Sequence, residues 1–160
     1  MILFLCVPPA VLIAFAAWNV AGEKAKDIAA TAERANQEMK LIFARSPGFS
    51  NGSLNCAMSV SKHVFPRLRY KASGGQTSTT ISNIDGGYVQ VRGFNDRFTY
   101  TESGLGTLTC VRVVTALRSD LWSTVSIGAA GPRKIPTGMF AVVDECRSLS
   151  GGEIVLTSSR

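Results

Sequence analysis

The chain is poor in the residues that most catalytic and metal sites need. Of its 160 residues one is histidine, His63, and its four cysteines, Cys6, Cys56, Cys110 and Cys146, stand far apart. There is no Cys-x-x-Cys pair and no Cys/His cluster, which excludes a zinc site of ordinary spacing. Gly-x-Ser-x-Gly is also missing. A Ser–His hydrolase would have to use His63 within Val60-Ser61-Lys62-His63-Val64-Phe65, without the strained turn that presents such a serine. Asp144-Glu145 is a carboxylate pair, but neighbours in sequence beside a cysteine make a solvated turn sooner than an acid and a base. The sequence therefore predicts no enzyme, no cofactor and no metal. A concentrated basic patch is lacking too. The net charge is +6, yet the cations are scattered, and the densest group, Arg67, Arg69 and Lys71, alternates as one face of a strand would. That is a solvated basic surface, and nucleic acid is not an expected partner.

Charge is absent altogether from residues 1–22, MILFLCVPPAVLIAFAAWNVAG. About 20 apolar residues can span a bilayer. Charges begin at Glu23, yet the apolar rhythm keeps its phase: Ala14, Trp18, Ala21, Ala25, Ile28, Ala32, Ala35, Met39 and Ile42 alternate steps of four and three. Such a seam suits one helix running from lipid into water. Residues 23–45 contain no Gly or Pro and are rich in helix formers, and Pro47-Gly48 ends the run. The whole rod would be roughly 60 Å long at 1.5 Å per residue. Pro8 and Pro9 remove backbone donors, which membrane helices tolerate when neighbouring helices satisfy the freed carbonyls. Three readings of the segment stand: a signal peptide cut near Ala14-Phe15-Ala16, a plain anchor, and a helix that is both anchor and assembly element. The unbroken seam and the lack of a basic region ahead of it favour the third. On that reading Ala14, Trp18, Ala21, Ala25, Ile28, Ala32 and Ala35 meet other copies, while Met39, Ile42 and Phe43 hold the helix to a sheet. A Trp at Ala25 or Ala32 should then block assembly and leave the head folded.

The remaining 115 or so residues are the size of one domain. Two turn signals, Pro47-Gly48 and Asn51-Gly52, mark a loop; Asn51-Gly52-Ser53 matches a glycosylation sequon by pattern only. Residues 56–65 suit a second short helix, and 73–83, polar and of low complexity, an exposed loop. Residues 87–91 and 97–101 alternate as strands about a turn at Gly93-Phe94-Asn95-Asp96. Leu108, Val111, Val114 and Leu117 have helical spacing, Val125-Ser126-Ile127 returns to strand, and residues 153–157 form the last strand, with Cys146 in the loop before it. This predicts an α+β domain. The organisation is 1–22 apolar helix, 23–45 its amphipathic continuation, and 46–160 the head. Four cysteines allow three complete pairings, and spacing does not choose among them.

This layout resembles a type IV pilin, in particular the type IVb branch that includes major subunits of thin conjugative pili. Gly87 to Val91, Phe98 to Tyr100, Cys110 opening a helix to Leu117, Trp122 before Val125-Ser126-Ile127, and Cys146 before Ile154 to Thr157 carry the likeness. The resemblance implies an antiparallel sheet under a long helix and a Cys110–Cys146 disulfide bounding a variable region. Closing that loop of about 36 residues would be worth roughly 4 kcal/mol in the chain-entropy model. It also implies a homopolymeric filament built through residues 1–45, pilus assembly machinery and a prepilin peptidase as partners, and passage from the inner membrane to an extracellular pilus used in adhesion or conjugation. Pilins are cut after a glycine and carry a glutamate five residues on, within an apolar run. Here the first glycine and the first glutamate are neighbours, Gly22 and Glu23. The chain accordingly begins late, lacks its processed end, or is a divergent subunit. The alternatives are a type II secretion pseudopilin, against which the late disulfide and the lack of an acidic calcium loop argue, and an anchored or secreted binding domain. No tip adhesin module accompanies the domain, which favours a major over a minor subunit.

Overall fold

The computed structural model describes residues 9–60, 64–66, 69–74, 79–148 and 152–159, with side chains of the first helix from residue 16. His63, Arg67, the first eight residues and the side chain of Ala14 lie outside the described residues. Helix α1 (Pro9–Ile42) is 34 residues long, about 51 Å at 1.5 Å per residue. Around it follow β1 (Phe49–Ser53), α2 (Asn55–Val60), β2 (Tyr70–Ser73), β3 (Thr80–Asn83), β4 (Tyr88–Asn95) and β5 (Arg97–Glu102). Then come α3 (Thr107–Ala116), β6 (Thr124–Ile127), β7 (Arg133–Lys134), α4 (Met139–Arg147) and β8 (Ile154–Ser159). Among the described residues the strands form one antiparallel sheet in the order β2-β3-β4-β5-β8-β6-β7, with β1 on the far end of β4. The α+β architecture is as the sequence predicts.

The central hairpin, β4 and β5, is a tight one. Phe94 pairs with Arg97, so Asn95 and Asp96 make the whole link, and Asn95 takes the positive φ of 32° that this residue type tolerates. Gly93 lies where β1 crosses β4, and a Cβ there would collide with the Ser50 carbonyl. The turn is thus the second half of the expected 93–96 link, and Gly93 serves close approach of a strand. Residues 73–83 depart from expectation more widely. Their two ends are strands, paired from Tyr70↔Asn83 to Ser73↔Thr80. Residues 49–53, taken as loop, are β1, and Cys146 lies in α4 instead of a loop.

The core is one cluster between the sheet and α1 with α3. A chain of edge-to-face rings runs through it: Phe43 on Phe49 at 5.4 Å, Phe49 on Phe98 at 5.0 Å, and Phe98 on Trp122 at 5.7 Å. Alternate residues of β4, β5 and β8, among them Val89, Val91, Phe98, Tyr100, Ile154 and Leu156, fill the side toward the helices.

Candidate assembly surface

The seam of α1 is real, and its partner is the head itself. Ala21, Ala25, Ile28, Ala32, Ala35 and Met39 are all buried in the single chain, the small alanines letting α3 approach closely. Thr31 and Asn36 are buried beside them: the Thr31 hydroxyl donates to the Asp27 carbonyl at 2.8 Å, and Asn36 Nδ2 to the Leu121 carbonyl at 2.8 Å. The expectation that this stripe faces other copies therefore needs correcting from Ala21 onward, because these side chains are already covered. A Trp at Ala25 or Ala32 would overpack the core and could not separate assembly from folding. Of the residues expected to tie helix to sheet, Met39 is fully buried and Phe43 stacks on Phe49, but Ile42 is 43% exposed. Ile42 is the last residue of α1, and Leu41 beside it is also exposed.

Below Ala21 the picture inverts. Ala16, Ala17, Trp18, Asn19 and Val20 are exposed on every side of the helix. Five consecutive residues cover more than a full turn, so here α1 has left the head. At this exit the Arg112 guanidinium of α3 lies over the Trp18 ring, 3.8 Å from its centroid, a cation–π contact. Gly22 makes the room, since a Cβ there would collide with Arg112 Nη1. Sequence reasoning placed Trp18 on the seam but missed Arg112, whose meeting with it depends on how α3 docks. Among the described residues no helix is long and apolar enough to cross a membrane.

Ion pairs fasten α1 to the sheet's edge. Lys24 pairs with Asp85, and Arg69 reaches both Asp27 at 3.1 Å and Asp85 at 3.9 Å. Beneath them Glu102, fully buried at the end of β5, accepts hydrogen bonds from Tyr100 at 2.7 Å, Tyr70 at 3.0 Å and Asn83 at 3.3 Å. Burial pushes its carboxyl up to about 6, against the opposing pull of the Tyr100, Tyr70 and Asn83 donors and the Arg69 charge. Tyr70 and Tyr100 are raised well above the phenol range, first by burial and next by the Glu102 charge. Three donors from three strands hold one carboxylate, which makes it a structural lock. Nothing in the sequence pattern announced it.

At the other end of the sheet Cys110 and Cys146 form a disulfide, 5.8 Å between Cα atoms, tying α3 to α4. This is the pairing the resemblance implied. Cys56 is unpaired and half-buried in α2. Between the bridged cysteines, Met139 and Phe140 open α4 with their side chains outward, Phe140 89% exposed. Of the carboxylate pair noted in the sequence, Glu145 is bound to Arg133 as an ion pair, which gives it a structural partner. Among the described residues no group of three His, Cys, Asp or Glu side chains converges on a metal-sized site.

Comparison with known proteins places the fold. Neither a protein-family model nor a curated protein sequence matches the chain. A solved structure does: the type IV b pilin from Salmonella typhi superposes with a TM-score of 0.64 over 87% of this chain and 99% of that one, at 17% identity. The long helix on an antiparallel sheet, with the Cys110–Cys146 bridge in the last third, is the fold of a type IVb pilin.

Proposed function

We propose that this chain is a structural, non-enzymatic subunit of a type IVb-like pilus. It is held in the inner membrane by residues 1–22 and then polymerised into an extracellular filament through the same stretch. The observation that carries this reading is the uncharged turn Ala16–Val20, exposed on all sides where a charge-free helix leaves a finished head. A helix without charges and with Asn19 as the one polar side chain of that turn is stable only when covered. Lipid covers it before assembly, and identical helices cover it afterwards. The pilin fold supplies the precedent for both environments. Pilus assembly machinery and a prepilin peptidase are the partners such a subunit requires, and adhesion or conjugative contact is its purpose.

The assembly contacts accordingly belong to residues 1–20 and to the outward faces of the head, while Ala21 to Met39 hold the head together. Val20→Asp tests this, since Val20 is exposed in the single chain and is not part of the buried core. A carboxylate there should abolish filaments in shear fractions and leave the melting temperature of the head unchanged. Filaments of normal yield from V20D, seen by electron microscopy, would overturn the reading.

A further inference from the structure

Trp18 and Arg112 meet where α1 leaves the head. Trp18 is 50% exposed, within one turn of the end of the charge-free stretch. Stacking on the indole uses the flat face of the guanidinium, while Nη1 packs over Gly22 of α1 and the side chain as a whole is only half-buried. Among the described residues no carboxylate forms an ion pair with Arg112, whereas Lys24, the next cation along α1, is held by Asp85. Leu108, one turn earlier on the same face of α3, is exposed as well. An indole, an aliphatic side chain and a half-buried cation that no carboxylate among the described residues pairs with thus stand together at the foot of a charge-free helix. Each group favours the boundary between acyl chains and phosphates. Indole rings collect at that level, basic side chains near it gain from anionic lipid, and a guanidinium binds phosphate through paired N–H groups.

We infer that Trp18 and Arg112, with Leu108 beside them, form a headgroup-level site that takes the phosphate of an anionic phospholipid. The site sets the depth and rotation of the head on the bilayer before assembly. It rests on the membrane reading of residues 1–22 proposed above. The competing occupant is a carboxylate of a second copy, and the test separates the two.

Trp18 is its own reporter, because the second tryptophan, Trp122, is 1% exposed in the core. Full-length protein is reconstituted in mixed phosphatidylcholine–phosphatidylglycerol vesicles, with bromine on the acyl chains of one lipid or the other at equal fraction. Quenching of Trp18 should give a preference for phosphatidylglycerol of about fivefold, the effect of one basic group near an anionic surface. Arg112→Gln should bring that ratio to about one while Trp122 emission stays as it was and the head melts within roughly 5 °C of the unmodified protein. A ratio near one in the unmodified protein, or a preference that survives R112Q, overturns the site. An unchanged ratio with lost filaments would assign the guanidinium to a second copy instead. No quenching by either lipid would remove the membrane reading itself, and this inference with it.

Discussion

Glu102 ties stability to pH, because it is ionisable, fully enclosed and, among the described residues, not matched by a salt bridge of its own. Tyr100, Tyr70 and Asn83 soften the cost of its charge without removing it, which is why its carboxyl titrates at about 6 and not at 4.5. The sign follows from the direction. The folded protein binds the proton more tightly than the unfolded chain, so this group's stabilisation is complete below pH 4.5 and is lost as pH rises through 6. A shift of that size corresponds to about 2 kcal/mol, or roughly 7 °C for a domain of this size. Melting curves between pH 5 and pH 8 should fall across that interval, and Glu102→Gln should flatten the fall. A slope that E102Q leaves intact would assign it to another group. The surface pair Arg118 and Asp120 behaves differently: its hydrogen bonds lower the carboxylate and raise the guanidinium, but both side chains are open to water, where such pairs contribute little. Charge-neutral substitutions there should leave the melting temperature within about a degree, a control for the buried site.

Among the elements, α3 and α4 are joined by the one disulfide the described residues contain, and each lacks a side-chain cap at its first turn. Helices of this length do not stand unaided. Cys110→Ser should therefore lower the melting temperature under oxidising conditions by the loss of up to about 4 kcal/mol. Adding reductant to the unmodified protein should reproduce the loss; a melting temperature indifferent to both treatments would make the bridge dispensable. Residues 139–147 open after Gly138 with two exposed apolar side chains, Met139 and Phe140, and only Val142 and Cys146 of α4 are buried, a stripe too short to stand out beside the glycine- and proline-punctuated stretch before it. β1, β2 and β3 read as FSNGS, YKAS and TISN, polar stretches that become strands because stronger neighbours pair with them. By contrast α1, α3, β4 and β5 were legible, since their apolar residues repeat at the period of the element that forms. The stripe of α1 was visible as a stripe, but periodicity names a buried face without naming what buries it. Ala25 and Ala32 lie buried in the head's own core, whereas Ala16 to Val20 on the same helix are exposed.

At the scale of the whole molecule, the described chain divides at Ala21 into a head that closes its own core and a helical turn, Ala16 to Val20, left exposed. Above this point α1 contributes Ala25, Ile28, Ala32, Ala35 and Met39 to the main cluster. Below it, among the described residues, the helix lends the head the stacking of Arg112 on Trp18, worth about 1 kcal/mol at an exposed site. If the rod serves association and the head serves only itself, cutting between them should separate the two properties cleanly. A chain beginning at Ala21 should fold with its disulfide intact, melt within roughly 5 °C of the full-length protein, and sediment as a monomer without detergent. The full-length chain should require detergent, lipid or its own copies to stay in solution, and should pellet as filaments or aggregates once detergent is withdrawn. Two outcomes would break this division. A truncated head that fails to melt cooperatively would show that residues before Ala21 belong to the core after all. A full-length chain that sediments as a detergent-free monomer would mean the uncharged turn Ala16–Val20 needs no cover, and the filament reading would lose the observation on which it stands.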